Sequence, residues 1–257
     1  MRRRGGPSSS DARGSLQEGE GADRALERAR FDSVGDRRPS ADVSALGSAE
    51  RAAPRADSVQ RVGDVEVRRL GGPALQSALG DLAALRIAVF RDYPYLYDGD
   101  LAYERKYLAS YAAAEGAVVV GAFDGARMIG AATGAPMAGE KAAWTKPFKD
   151  AGVDLGAVFY CGESVLDPGY RGRGIGHAFF DHREAAARAL GLEISCFCAV
   201  IRPDDHPARP TGHRPLDAFW RGRGYEPMAG AIAEFEWREV GAEEETPHQL
   251  QYWWRRL

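Results

Sequence analysis

At 257 residues and 44% hydrophobic, the chain is long enough to bury a substantial core, as one large domain or two small ones. A formal net charge of −3 provides no general attraction for nucleic acid or an anionic membrane surface, so neither is expected as a partner. The three cysteines, Cys161, Cys196 and Cys198, have neither zinc-type pairing nor the density of a secreted disulfide scaffold; with no spanning run and no apolar signal core, a soluble protein of the reducing cytoplasm is expected.

The first 61 residues are rich in Gly, Ser, Ala, Asp and Arg and show no sustained period. Such a stretch cannot bury enough surface to offset its ordering entropy, so a disordered tail is expected there, with at most a transient helix over 21–30. A single folded domain is expected over 62–257. Regular structure begins at DVEVRRL (64–70), where Val65 and Val67 alternate with charges as in a half-buried strand. In the next segment Leu75, Leu79, Leu82, Leu85, Ile87, Val89 and Phe90 recur near helical spacing after Pro73, which suits a first turn. The aromatic and acidic loop RDYPYLYDGD (91–100) leads into a second helix over 101–114. GAVVVGAFDGARMIGAATG (116–134) reads as two apolar strands joined at Asp124 and Gly125, a strong hairpin signal.

A polar stretch over 137–156 is expected to add a short helix outside the sheet. Beyond it, AVFYCGESVL (157–166) is a strand, GIGHAFFDHREAAARAL (174–190) a helix and LEISCFCAVI (192–201) a strand, giving a β-loop-α-β unit. The long loop RPDDHPARPTGHRP (202–215) precedes a short helix, LDAFWRGR (216–223), and a strand, AIAEFEWREV (231–240). The final HQLQYWWRRL (248–257) fits either a strand or a short helix. No repeat period runs through the chain, so one mixed α/β layer architecture is the economical reading.

The sharpest feature is LDPGYRGRGIGHAFF (166–180), a strand running through a glycine-rich turn into an amphipathic helix. Glycines at 172, 174 and 176 remove the Cβ atoms that would hold a ligand away, so successive backbone N–H groups can surround an anion at the positive end of the helix. The turn lacks the GxxxxGK[ST] of a P-loop. It also lacks the GxGxxG of a dinucleotide site, since His177 stands where the third glycine should be. It resembles instead the acyl-CoA signature [RQ]-x-x-G-x-[GA] of the GNAT superfamily of N-acetyltransferases, met by Arg171, Gly174 and Gly176. Leu166 to Tyr170 is similar to the V-x-P-x-Y that precedes that loop. AFWRGRGY, with Trp220, Gly224 and Tyr225, is similar to a later block of the family.

The resemblance implies a mixed, mostly antiparallel sheet flanked by helices, and acetyl transfer from acetyl-CoA to a primary amine of a small molecule or peptide by direct attack on the thioester. It implies cofactor contacts from Val165, Leu166, Arg171, Gly172, Arg173, Gly174, Ile175, Gly176 and His177, with a main-chain N–H near Val165 and Leu166 stabilising the carbonyl oxygen. An alkylammonium needs a base. Glu163, the one carboxylate of the motif strand, is the first candidate. It shares a face with Val165 by strand alternation, unless a bulge intervenes. His206 is the second candidate. The tyrosine that protonates the departing thiolate in many members is replaced by Trp220, leaving Tyr225, another residue or solvent for that role. The same replacement motivates an alternative, a non-catalytic acyl-CoA-binding domain.

Tyr93, Tyr95, Tyr97, Asp98 and Tyr103, with Asp100 and Glu104, are expected to line the acceptor site, since aromatics with carboxylates suit a cationic amine. The 202–210 loop is a candidate lid, with Arg202, Arg209 or Arg214 meeting a substrate carboxylate. Cys196 and Cys198 are read as packing thiols, and His177 and His182 have no partner spaced for a metal, so none is expected. A homodimer is compatible with the sequence.

Overall fold

The computed structural model describes residues 58–140 and 142–257. The expected disorder, up to residue 57, and the transient helix at 21–30 fall outside the described residues. The fold opens with a short hairpin, β1 (Gln60–Val62) and β2 (Val65–Leu70), so the sheet begins earlier than the Val65/Val67 alternation implies. Three residues are too few to show a period, yet Val62 packs on the core.

Two helices follow, α1 (Gly72–Phe90), with Pro73 in its first turn, and α2 (Leu101–Ala112). The hairpin β3 (Val118–Asp124) and β4 (Arg127–Pro136) closes with Asp124 opposite Arg127, so the two-residue loop is Gly125 and Ala126, one position later than expected. Gly125 has φ +58, which suits this turn. Next come α3 (Ala142–Asp150), β5 (Val158–Tyr160), β6 (Ser164–Leu166), α4 (Ile175–Ala189), β7 (Ile194–Val200), α5 (Asp217–Gly222), β8 (Glu226–Arg238) and β9 (Glu245–Arg256). The final aromatic-arginine segment is therefore a strand.

Among the described residues the strands form one nine-stranded sheet in the order β1-β2-β3-β4-β5-β7-β9-β8, with β6 also paired to β4. Among the described strands only the β5–β7 pairing is parallel, so the sheet is mixed and mostly antiparallel. Alternation sends successive residues to opposite faces. Val119, Ala131 and Val165 meet Leu75, Leu82, Leu108 and Tyr111 of α1 and α2 on one face. Val120, Ile129 and Phe159 meet Ile175, Phe179 and Phe180 of α4 on the other. Each fully buried Leu, Val or Phe contributes roughly 1.5–3 kcal/mol, so both helical layers are held mainly by apolar burial. Among the described residues no helix is long and apolar enough to cross a membrane.

Candidate functional site

The strand read as continuous over 157–166 is broken at Cys161–Glu163, and this break builds the site. Gly162 donates its N–H to Thr133 O at 3.1 Å, while Thr133 donates its own to Glu163 O at 3.1 Å. Two residues thus oppose one, which is a β-bulge. Glycine is required there because an added Cβ at Gly162 would lie 2.8 Å from Thr133 Oγ1. Before the bulge, β5 runs parallel to β7 as far as Cys161, whose N–H reaches Cys196 O at 2.7 Å. Beyond it β6 pairs only with β4, while Phe197–Val200 continue along β9, so the sheet opens into a wedge between β6 and β7.

Register decides which amides face the wedge. Glu163 and Asp167 are bonded to β4, at Thr133 and Ile129. Antiparallel ladders bond at every second residue, so Val165 also turns its N–H toward β4, whereas Ser164 and Leu166 turn theirs into the gap. Of the two positions expected to stabilise the carbonyl oxygen, Leu166 therefore offers an open N–H and Val165 does not. Val165 supplies a buried side chain on the α1–α2 face instead.

At the mouth of the wedge the chain makes a single 3₁₀ turn over Pro168–Tyr170, held by the Asp167 carboxylate accepting from Gly169 N–H at 2.9 Å, and then enters α4. Tyr170 and Arg171 bond back within this turn, and His177 donates to Gly174 O at 3.0 Å. The five amides between them, at Gly172, Arg173, Gly174, Ile175 and Gly176, meet no acceptor among the described residues. Gly172 and Gly174 sit at φ +77 and +92, where a side chain would be strained, and all of 171–174 is exposed. Arg173 is braced over the Tyr170 ring and donates to Gly169 O, whereas Arg171 has no ion-pair partner among the described residues. The cradle fits a diphosphate: each hydrogen bond to a charged group contributes about 1.5–3 kcal/mol, more than the 0.3–1 kcal/mol of an exposed helix dipole. His177, expected among the cradle residues, has its amide committed and its exposed ring against Phe219 and Arg223.

On the opposite face the bulge points the Glu163 carboxylate at α1 and α2. Arg86 lies between two carboxylates, with Nε 2.5 Å from Glu104 Oε2 and Nη1 2.5 Å from Glu163 Oε2. The second contact is a meeting of charges rather than an aligned hydrogen bond, and Glu163 Oε1 is buried without a hydrogen-bond partner among the described residues. Burial works against the Arg86 charge, but Glu163 and Glu104 outweigh it and hold its pKa above the usual value. The triad keeps one net negative charge. Around it stand the phenols of Tyr95, Tyr97, Tyr107 and Tyr111, all pushed above their ordinary range by burial first and then by these carboxylates or neighbouring groups. The Arg86 guanidinium lies 4.8 Å from the Tyr107 ring centroid.

Several sequence candidates stand elsewhere. Tyr225 is a core residue at 1% exposure, its hydroxyl donating to Glu184 Oε1 (3.0 Å) and lying 2.7 Å from the Ser195 hydroxyl beneath α4. The structure therefore places it in the core, its hydroxyl held by Glu184 and Ser195, rather than free to serve as a general acid. His206 lies on the 202–215 loop, Nδ1 accepting from Ala208 N–H, with its ring 5.7 Å from that of Tyr93. Tyr93 packs on His206 and His213 rather than on the Glu163 cluster. Asp98 is paired with Arg91 and Arg238, and Asp100 caps α2 by accepting from Tyr103 N–H. Tyr103 itself is half-buried.

The loop does dock beside the acceptor segment. Arg202 donates to Pro94 O and Tyr95 O and pairs with Glu239, which commits it to the fold rather than to a substrate. Arg209 pairs with Asp204. Arg86 was missed by sequence reasoning, although it occupies the buried stripe Leu75–Leu82–Arg86–Phe90, where a charge is itself a signal. Among the described residues no group of His, Cys, Asp or Glu is arranged to hold a metal ion.

A sheet split by a bulged strand, with an anion cradle at one helix entrance and a carboxylate across the split, is the architecture of an acyltransferase. The GNAT acetyltransferase family model matches residues 82–213, and the chain belongs to that family. Two solved structures share the fold. A ribosomal-protein-alanine N-acetyltransferase from Brucella melitensis is 16% identical over 74% of this chain and 99% of its own, with a TM-score of 0.50. A putative acetyltransferase from Salmonella typhimurium, solved with its cofactor acetyl-CoA, is 11% identical over 75% and 94%, with a TM-score of 0.50. No curated protein sequence matches the chain.

Proposed function

We propose that this protein is an acetyl-CoA-dependent N-acetyltransferase acting on a primary amine of a small molecule or peptide, in the cytoplasm. The observation that carries the proposal is the run of five open amides at 172–176, which would hold the diphosphate of the cosubstrate. Arg171 would add a charged contact. The Leu166 N–H faces the wedge, where it would donate to the carbonyl oxygen as negative charge develops. Glu163 is the base: its unpartnered Oε1 takes the ammonium proton, freeing the nitrogen lone pair to attack the acyl carbon. The carbon–sulfur bond then breaks, the acylated nitrogen gives up its second proton to solvent, and the thiolate takes a proton from solvent. The net-negative, phenol-lined surroundings of Arg86 favour a cationic acceptor, drawn from Tyr95, Tyr97 and Tyr107 as its walls.

The test is a thermal shift with acetyl-CoA, followed by release of free CoA in the presence of benzylamine, spermidine, glycinamide and an alanyl peptide. Gly174→Trp should abolish the shift, because a side chain at φ +92 also fills the cradle. Glu163→Gln should keep the shift and lose at least about a hundredfold in kcat. A second reading, an acyl-CoA-binding domain without turnover, is favoured by Trp220 in place of the family's tyrosine; Trp220 packs on Phe197 and Trp253 and has no titrating group. CoA release with any of the amines excludes it.

A further inference from the structure

The helix that begins at the amide cradle also reaches the bulge. Arg183 of α4 is 1% exposed, and its Nη1 donates to Glu163 O at 3.0 Å and Thr133 O at 3.3 Å, the two carbonyls that define the bulge. Its guanidinium lies 4.5 Å from the Phe180 ring centroid, while Nε and Nη2 have no hydrogen-bond partner among the described residues. Glu163 is thus gripped from both faces of the sheet, its carboxylate by Arg86 on α1 and its main chain by Arg183 on α4.

A guanidinium satisfied at only one nitrogen is a poor choice for stability alone, because an apolar side chain of similar volume avoids its desolvation cost. The position belongs to the buried stripe of α4, four residues from Phe179 and four from Ala187, where packing calls for an apolar group. Arg183 is nine residues from the helix cap at Gly174, about 13 Å at 1.5 Å per residue, so one rigid element carries both the cradle and this contact.

We infer that Arg183 is a positioning residue that fixes the Gly162–Glu163 bulge to the cosubstrate-binding helix, and so sets the base and the Leu166 N–H relative to the bound thioester. The inference rests on the acetyltransferase reading above and on Glu163 as its base. It predicts an effect on turnover rather than on cosubstrate affinity: misplacement by about 1 Å is enough to cost up to about a hundredfold in rate.

The experiment compares Arg183→Met, Arg183→Lys and Glu163→Gln in the full chain, with rates normalised to the folded fraction by circular dichroism. It uses acetyl-CoA and whichever of the four amines turns over fastest. Arg183→Met should fold and bind acetyl-CoA with KM within about twofold of the unsubstituted protein, while kcat falls about ten- to a hundredfold. Arg183→Lys, which keeps the charge and a donor, should recover part of that loss. If Glu163→Gln is inactive while Arg183→Met keeps its kcat within about twofold, the inference fails and the base assignment survives. If Glu163→Gln is fully active, the base assignment fails and takes the inference with it. Should Arg183→Met not fold, Arg183→Gln carries the same comparison.

Discussion

Cys198 lies two residues past the point where β7 parts from β5, on the same face as Tyr95, Tyr97 and Trp144, where an acyl group could in principle be parked on sulfur. Its chemistry opposes that. Burial pushes the thiol up to about 12, even with the Tyr160 hydroxyl 3.0 Å away, so the thiolate is about one part in 10⁵ at pH 7. The thiolate fraction grows only as pH rises toward that value. Cys198→Ala is therefore expected to keep kcat within about twofold, and intact-mass spectra of the protein incubated with acetyl-CoA should show no acetyl adduct. An adduct that disappears in Cys198→Ala would reverse this conclusion. Arg86 shows the opposite logic at the same scale: it is tolerated in a buried stripe because two carboxylates meet it, and removing one member of such a group costs about 3–5 kcal/mol.

The bulge is the element on which the site turns, and Gly162 is its most constrained position. A Cβ placed 2.8 Å from Thr133 Oγ1 must push the strand or rotate the threonine, which costs about 1–3 kcal/mol. Gly162→Ala should lower the urea midpoint and reduce kcat together, whereas Gly222→Ala, with nothing within 4 Å of the added carbon, should leave both unchanged. The sequence made the α1 and α4 helices, the β3–β4 hairpin and the glycine cradle legible, because each carries its own period or turn chemistry. The break in the motif strand was not legible, because CGES has no periodicity and the bulge depends on which residue of β4 lies opposite. Arg86 and Arg183 were overlooked for a related reason: each stands in the apolar register of its helix, and only the tertiary partners explain the charge. Tyr225 was one of three stand-ins for the tyrosine that Trp220 replaces, and only the tertiary structure shows its hydroxyl beneath α4 in the core.

Across the whole molecule, pH acts on stability through buried groups rather than through net charge. His182 is fully buried on α4, and burial, followed by the Arg69 guanidinium, holds its pKa below the ordinary 6.5, against smaller opposing effects of the Val67 backbone and Asp181. The folded state keeps the ring neutral where the unfolded chain protonates it. Its contribution is therefore complete above about pH 6.5 and is lost as pH falls toward the depressed value, at up to about 1.4 kcal/mol per pH unit. His182→Leu should flatten the urea-midpoint profile between pH 6.5 and 5, roughly the range in which free histidine titrates; an unchanged slope would assign the acid sensitivity to the carboxylates. Strand order has a different consequence. Because β9 inserts between β7 and β8 although it follows both in sequence, a nascent chain on the ribosome holds two open strand edges until residues 245–256 emerge. That interval exposes unpaired backbone to neighbouring chains. Pairing of residues 245–256, rather than formation of the cradle or placement of the base, is the event that completes this half of the sheet.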